Sequence, residues 1–224
     1  MNKLKNDIVK VCKMMHSKGF ICATDGNVSV KLSKNAYLIT RSGINKGFMC
    51  EDDIILINDE GKVIEGGKDY NVSTEWRMHL KAYEIREDIN AVIHAHPPYI
   101  TAYTIAGLEI PSTILPEIVL TMGNIPVTRY SIPTSPENAQ LIEQYIAKYN
   151  AIVLSHHGTL TVGKDVFSAY NKLEQLEYTA TAGIAATILG GCNSLPSNEI
   201  EKLFKMGKEM GLLSKECDCA KLEK

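Results

Sequence analysis

Ala91-Val-Ile-His-Ala-His96 is a short apolar run that carries two histidines and is followed directly by Pro97 and Pro98. Its length and its β-branched residues predict a buried strand that the two prolines terminate. Side chains two positions apart on a strand point to the same face, so the imidazoles of His94 and His96 can reach one ion. Such a pair also occurs on solvated strands, and further ligands are needed before it indicates a metal site.

A second apolar run, Ala151–Leu154, is followed closely by His156 and His157 and then by a glycine. Polar residues at the end of a buried strand, just before a glycine turn, occupy a position typical of ligands. Catalytic zinc commonly has three protein ligands and one open position. The sequence therefore predicts that His157 joins His94 and His96, with His156 as a core histidine bonded to the backbone.

Around these runs, helical and strand-like periodicities alternate along the chain, which predicts an α/β or α+β fold. Further strands are predicted at residues 36–40, 54–57, 63–64, 127–130 and 159–162. Helices are predicted to begin before residue 8, at Ser73 or Thr74 as N-cap, after Pro98, at Pro136 with Ser135 as N-cap, after Asp165 and at Ser197.

The 224 residues suit a single domain over 1–224, with a flexible tail from about residue 211. The net charge of −2 shows no basic excess, which argues against a nucleic-acid partner. No apolar run approaches the roughly 20 residues of a membrane span. Residues 1–10 lack the apolar core of a signal peptide, so we expect a cytoplasmic protein without membrane partners.

A candidate acid and several candidate anion-binding turns accompany the histidines. Ser73-Thr74-Glu75 lies at a predicted helix start, where hydroxyl groups can bind a phosphate and a carboxylate can serve as acid or base. Taken alone, Glu75 there is a surface residue that favours the helix dipole. Asp25-Gly26-Asn27 and Thr40-Arg41-Ser42-Gly43 have anion-binding character, although turns of this composition are common.

Five motifs occur in an order and spacing that resemble the class II aldolase/adducin family. They are Gly26-Asn27-Val28-Ser29, Thr40-Arg41-Ser42-Gly43, Ser73-Thr74-Glu75-Trp76-Arg77-Met78-His79, His94-Ala95-His96 and His157-Gly158. The likeness covers roughly residues 1–190. Within the family, the motifs are most similar to those of the aldolases that cleave L-fuculose 1-phosphate.

This resemblance implies a three-layer α/β/α domain with a mixed, largely antiparallel central sheet. It also implies one zinc ion per subunit, a sugar phosphate as substrate, and a homotetramer with active sites at subunit interfaces. The implied zinc ligands are His94, His96 and His157, with Glu75 as acid/base and additional zinc ligand. The substrate phosphate would be held by Asn27, Ser42, Gly43, Ser73 and Thr74. The implied reaction is cleavage of a phosphorylated ketose to dihydroxyacetone phosphate and an aldehyde.

The sequence departs from the aldolases at one catalytic position. Those enzymes donate a tyrosine from a neighbouring subunit in a loop after an Ile-Pro pair, and residues 110–117 contain no tyrosine. Glu117 instead lies near the position at which the similar methylthioribulose-1-phosphate dehydratases of the family carry a catalytic glutamate. Glu117 is thus either a second catalytic group or a capping or surface carboxylate.

Four other functions stay open. The dehydratases fit Glu117 but lack the Glu75 position, and L-ribulose-5-phosphate 4-epimerase carries Asp where Glu75 stands. An adducin-like binding module would keep the fold without catalysis, and retention of the three histidines and Glu75 disfavours it. A barrel-type metal hydrolase would need a longer chain with eightfold strand–helix alternation.

Overall fold

A seven-stranded sheet forms the centre of the structure, a computed structural model that describes residues 1–66 and 70–217. Its strands are β1 (Asn27–Ser33), β2 (Ala36–Thr40), β3 (Ile54–Ile57), β4 (Val63–Glu65), β5 (Ala91–Ala95), β6 (Ala151–Leu154) and β7 (Gly158–Gly163). Their spatial order is β4-β3-β2-β1-β5-β7-β6. All six neighbouring pairs are antiparallel, and the one parallel contact among the described residues is an isolated bridge between Val127 and Val153.

Helices cover both faces of the sheet and make three layers. They are α1 (Asn2–Ser17), α2 (Trp76–Ile85), α3 (Pro98–Ile105), α4 (Pro116–Thr121), α5 (Pro136–Ile146), α6 (Val166–Ile188) and α7 (Ser197–Glu209). Alternate residues of β5 pack against opposite layers: Ile93 packs among α1 and α6, whereas Val92 packs among α2 and α5. The strand is apolar on both sides because both of its faces are buried.

The alternation of elements was predicted well where periodicity is strong. Strands β2 and β3 have the predicted bounds, Ser135 caps α5, and Asp165 caps α6. The three-layer architecture and its largely antiparallel sheet are confirmed. In the described residues, no helix is long and apolar enough to cross a membrane.

Two local predictions were wrong, and two elements were missed. Neither Ser73 nor Thr74 caps α2: its N-cap position is Glu75, whose carboxylate turns inward and makes no capping hydrogen bond. Residues 127–130 form no strand beyond the single bridge at Val127, because the prolines around them interrupt pairing. Strand β1 and helix α4 were not predicted, since turn-like and proline-rich sequence conceals both.

The first residues of the tail that was predicted to be flexible pack against helices α4 and α7. Leu213 and Cys217 are buried in a cluster with Val119, Ile200 and Phe204, which joins α4 to α7. Residues 218–224 lie outside the described part of the chain. Leu213 and Cys217 therefore belong to the packed core and not to a flexible tail.

Candidate active site

His94 occupies the buried strand β5 and directs one ring nitrogen, Nε2, toward His96 and Glu75. Its side chain has no solvent exposure, and its Nδ1 donates a hydrogen bond of 2.9 Å to the carbonyl oxygen of Thr159 on β7. That bond fixes the proton on Nδ1 and leaves a lone pair on Nε2. A histidine held in this way is arranged as metal ligands usually are.

His96 and His157 complete a cluster of three imidazoles. The Nε2 atoms of His94 and His96 lie 2.9 Å apart, and ligand nitrogens of all three residues lie within 4.8 Å of one another. His96 is placed by the end of β5, and His157 by the turn between β6 and β7. The predicted convergence of these histidines is present, and within the described residues no other group of His, Cys, Asp and Glu forms a comparable cluster.

Two glycines allow the chain to approach this cluster closely. A Cβ on Gly158 would collide with the carbonyl oxygen of Ala95 and lie 2.8 Å from the His96 ring. Gly26 has φ +70°, and a Cβ there would lie 2.6 Å from Ile21 and 3.0 Å from the carbonyl oxygen of His94. Both positions are thus restricted to glycine by the packing beneath the histidines.

Burial keeps the three imidazoles neutral, which is the form that binds a metal ion. It holds the pKa of His94 well below the usual value and lowers that of His157 to about 4. Burial also lowers the pKa of His96, and the carboxylate of Asp25, 3.6 Å from its Nδ1, acts in the opposite direction. Asp25 was not predicted to take part, because an acid in a turn has no distinguishing signal in sequence.

Glu75 points its carboxylate into the histidine cluster. Oε2 lies 3.2 Å from His94 Nε2 and accepts a hydrogen bond of 2.9 Å from Asn27 Nδ2. Oε1 lies 3.5 Å from His157 Nε2, is buried, and has no hydrogen-bond partner in the described residues. Burial raises the pKa of Glu75, and the Asn27 hydrogen bond acts against that rise.

These groups fit a divalent cation such as Zn²⁺. Three neutral imidazoles supply nitrogen ligands, and the buried, partnerless Oε1 of Glu75 supplies an anionic oxygen at the same place. Two nitrogen lone pairs at close range repel each other unless a cation or a proton lies between them. The donor set therefore suits the metal that the histidine spacing predicts.

The predicted anion-binding turns line the same cavity, which has a volume of about 410 Å³. Its lining includes all five predicted phosphate ligands: Asn27, Ser42, Gly43, Ser73 and Thr74. Glu75, His96 and His157 line it as well. One cavity thus joins the histidine cluster to the turns, so a single small molecule can contact both.

Two cations line this cavity, and of these Lys46 was not singled out from sequence, whereas Arg41 belongs to a predicted anion-binding turn. Lys46 is 2% exposed, and its Nζ donates hydrogen bonds of 3.0 Å each to the carbonyl oxygens of Thr24 and Ile44. Arg41 lines the cavity while its Nε binds Asp53 at 2.6 Å. A lysine in a glycine-containing turn looks solvated in sequence, and only the packing shows that it is buried.

His79 is a further residue that the sequence did not reveal. It looked like an ordinary helix-face residue, yet it is fully buried and bonded to both Asn27 and Ser29. The spacing of four between Glu75 and His79 is the signal that could have placed both side chains on one face of α2.

Two other residues lie away from the cluster. Glu117 is exposed in the first turn of α4 and does not line the cavity. The prediction of His156 as a core histidine was wrong, because it is exposed at a turn with φ +56° and its ring faces Tyr130. The hairpin directs the side chain of His157 toward the cluster, and His156, which precedes it in the left-handed conformation, points its side chain to solvent.

Sequence comparisons agree with this geometry. Residues 6–184 match the sequence profile of the class II aldolase and adducin N-terminal domain. An L-fuculose phosphate aldolase of Methanococcus maripaludis is 32% identical over 83% of this chain and 98% of its own length. A 5-methylthioribulose-1-phosphate/5-deoxyribulose-1-phosphate aldolase of Escherichia coli is 36% identical over 71% of this chain and 73% of its own.

Solved structures give the same result. A structure described as L-fuculose 1-phosphate aldolase superposes with a TM-score of 0.84 at 30% identity, covering 93% of this chain and 97% of that one. Similarity of this extent covers the sheet, its helices and the cavity together.

Proposed function

This chain belongs to the class II aldolase and adducin family and is a lyase of its aldolase type, and we propose that it cleaves a phosphorylated ketose with the help of Zn²⁺. The proposed products are dihydroxyacetone phosphate and an aldehyde. L-fuculose 1-phosphate and the 1-phosphates of 5-deoxyribulose and 5-methylthioribulose are the leading substrates, because aldolases named for them are among the relatives.

One observation carries this proposal: one cavity is lined by His96, His157, Glu75 and the anion-binding turns, and His94 adjoins it as the third member of the histidine cluster. A binding module needs no buried carboxylate beside three neutral imidazoles. Burying such groups is costly unless they bind something, and a resident cation supplies the compensation. The arrangement therefore favours metal-assisted catalysis over simple binding.

The proposed metal ligands are His94, His96 and His157, with Glu75 able to complete the set. A divalent cation there would act as a Lewis acid on the substrate carbonyl, an effect worth several kcal/mol in related chemistry. The protein contributes the fixed ring orientations, beginning with the His94–Thr159 hydrogen bond.

Glu75 is the proposed proton carrier. Its Oε1 is buried beside His157 and accepts no hydrogen bond in the described residues. A proton can therefore bind to that atom without displacing a hydrogen-bond donor. Burial raises the pKa of this carboxyl group, which makes it a more effective acid near neutral pH. We propose that it protonates the substrate carbon released by C–C cleavage.

The anion end of the cavity is proposed to hold the phosphate group. Ser42, Ser73 and Thr74 offer hydroxyl donors, and Gly43 offers its backbone. Asn27 Nδ2 donates one of its two N–H bonds to Glu75, so the other remains available to a phosphate oxygen. Lys46 and Arg41 supply positive charge, and binding at this end orients the reacting carbon at the histidines.

The second proton-transfer group is proposed to come from another copy of the chain. Glu117 does not line the cavity of its own chain, and it is exposed on α4. In a homotetramer with active sites at subunit interfaces, that exposure would let it reach a neighbouring cavity. Exchange of Glu117 for Gln would then lower kcat without changing the zinc content.

A direct assay tests the proposed reaction. Purified protein is loaded with Zn²⁺ and offered a set of phosphorylated ketoses, and dihydroxyacetone phosphate release is coupled to its reduction. We expect release from at least one 1-phosphoketose. Loss of water without a three-carbon product would favour a dehydratase, and inversion of the carbon configuration without cleavage would favour an epimerase.

Removal of the metal tests the Lewis-acid role separately. We expect a strong chelator to abolish turnover, and stoichiometric Zn²⁺ to restore it after the chelator is removed. Turnover that persists in protein shown by elemental analysis to be free of metal would exclude the metal-assisted reaction.

A further inference from the structure

A buried row of five polar side chains leads from the far side of α2 to Glu75. Tyr83 Oη lies 2.8 Å from Ser29 Oγ, which lies 2.7 Å from His79 Nδ1. On the other side of the ring, His79 Nε2 bonds to Asn27 Oδ1. Asn27 Nδ2 then donates to Glu75 Oε2 at 2.9 Å, so each member contacts the next.

Two periodicities produce this row. Glu75, His79 and Tyr83 are four residues apart, which aligns them along one face of α2. Asn27 and Ser29 are two apart on β1, which aligns them on the sheet face beneath that helix. The side chains therefore alternate between helix and strand, and all five are at most 9% exposed.

The hydrogen bond that Asn27 Nδ2 donates to Glu75 Oε2 gives the row a direction. A carboxylate only accepts hydrogen bonds, so the Asn27 atom that faces it must be the amide nitrogen. Asn27 Oδ1 then faces His79 and needs a donor, which places a proton on His79 Nε2. His79 Nδ1 is left to accept from Ser29, and Ser29 in turn accepts from Tyr83.

We propose that His79 is a positioning residue that acts through Asn27: its Nε2–H fixes the orientation of the Asn27 amide and thereby keeps an N–H directed at Glu75. This inference rests on the proposed role of Glu75 in proton transfer. Without the His79 donor, the amide can rotate and turn its oxygen toward the carboxylate. Glu75 would then lose the only hydrogen bond that the described residues give it.

His79 suits this task because it stays neutral and therefore both donates and accepts. Complete burial lowers the pKa of His79 to about 3, so the ring carries a single proton at neutral pH. Hydrogen bonds aligned in one direction also polarise and strengthen one another in a buried site. The row thus transmits its orientation to the carboxylate at the cavity.

A matched pair of variants tests the proposal in zinc-loaded, full-length protein. His79→Gln keeps a donor near the position of Nε2, whereas His79→Met has the same length and no donor. We expect the Met variant to lose about 10- to 100-fold in kcat, as is typical when a supporting hydrogen-bond partner is removed, and the Gln variant to recover most of it. KM should change by less than about threefold in both, because the loss concerns a step after binding.

Variants further along the row provide a gradient. Tyr83→Phe removes only the outermost hydroxyl and leaves the ring that stacks on Tyr37. We expect its kcat to fall less than that of the Met variant, with Ser29→Ala between the two. Zinc content and thermal unfolding midpoints are measured for all of them. The proposal would be overturned if the loss of kcat across these variants correlates with the drop in unfolding midpoint and not with the position of the changed residue in the row.

Nitrogen NMR of the wild-type imidazoles gives a readout that is independent of activity. His79 should be a neutral ring with its proton on Nε2, and a proton on Nδ1 would overturn the proposal even if the Met variant did not fold. Equal kcat in the Gln and Met variants would also overturn it. A wild-type protein that releases no dihydroxyacetone phosphate would instead contradict the proposed function. The NMR result would still decide whether His79 carries its proton on Nε2.

Discussion

The two ends of the cavity are built differently. The histidine end stands on strands and a tight hairpin, where His94 has no exposure and a fixed tautomer. The anion end stands on turns, where Gly43 and Thr74 are exposed and Ser42 is half-buried. The difference separates a preorganised region for proton and charge chemistry from an open region that a ligand can enter and order.

The largest effect should follow from removing a histidine at the preorganised end. His157→Gln should lose bound zinc and about 10⁴-fold in activity, because the charge stabilisation of several kcal/mol disappears with the cation. His156→Asn, one residue earlier on the same hairpin, is the matched control and should keep both. Metal analysis and dihydroxyacetone phosphate release measure the two quantities. Full zinc occupancy in His157→Gln would remove that residue from the ligand set.

Glu75→Gln should separate proton transfer from metal binding. The amide is nearly isosteric but cannot exchange a proton, so kcat should fall by about 10³-fold, within the range for loss of an acid/base group. Zinc should remain bound by the three histidines. Steady-state kinetics and elemental analysis provide the measurement, and near-normal turnover in a zinc-loaded variant would be incompatible with the proposed role.

Lys46→Met should show the contrasting behaviour of the anion end. Loss of a buried positive charge should raise KM for the phosphorylated substrate about 10-fold, while kcat changes little, since a hydrogen bond to a charged group contributes about 1.5–3 kcal/mol. Competitive inhibition by inorganic phosphate should weaken in parallel. Lys172→Met, at a half-buried lysine bonded to Ser168 outside the cavity, is the control. An unchanged phosphate inhibition constant would exclude Lys46 from anion binding.

The smallest expected effect concerns stability in acid. The pKa of His79 is lowered to about 3 in the folded protein, against an ordinary value near 6.5. Between these values the unfolded chain takes up a proton that the folded chain refuses, so stability falls as the pH falls through this window. In metal-free protein, His79→Gln should therefore flatten the pH dependence of the free energy of unfolding by about one proton. Denaturant titrations at several pH values measure it, and an unchanged slope would contradict the buried, neutral state of His79.

Prediction from sequence succeeded where a pattern reports local burial. The apolar runs that end in histidines gave β5 and β6, and the i, i+2 spacing correctly placed His94 and His96 on one face. It failed where packing overrides local chemistry. Asn27 begins strand β1 although it follows a turn-like glycine, and Glu75 turns away from the end of its own helix toward the histidines.

The sequence alone determined the alternation of helices and strands, the pair of histidines on β5, and the third histidine beside a glycine turn. Periodicity carries this information because the repeats of 2.0 and 3.6 residues depend only on neighbours along the chain. The tertiary structure alone decided that β1 lies beside β5 under α2, so that Asn27, His79 and Glu75 meet across about 50 positions of sequence. It also decided that Lys46 is buried at the cavity, because such proximity depends on the order of strands in the sheet and leaves no local pattern.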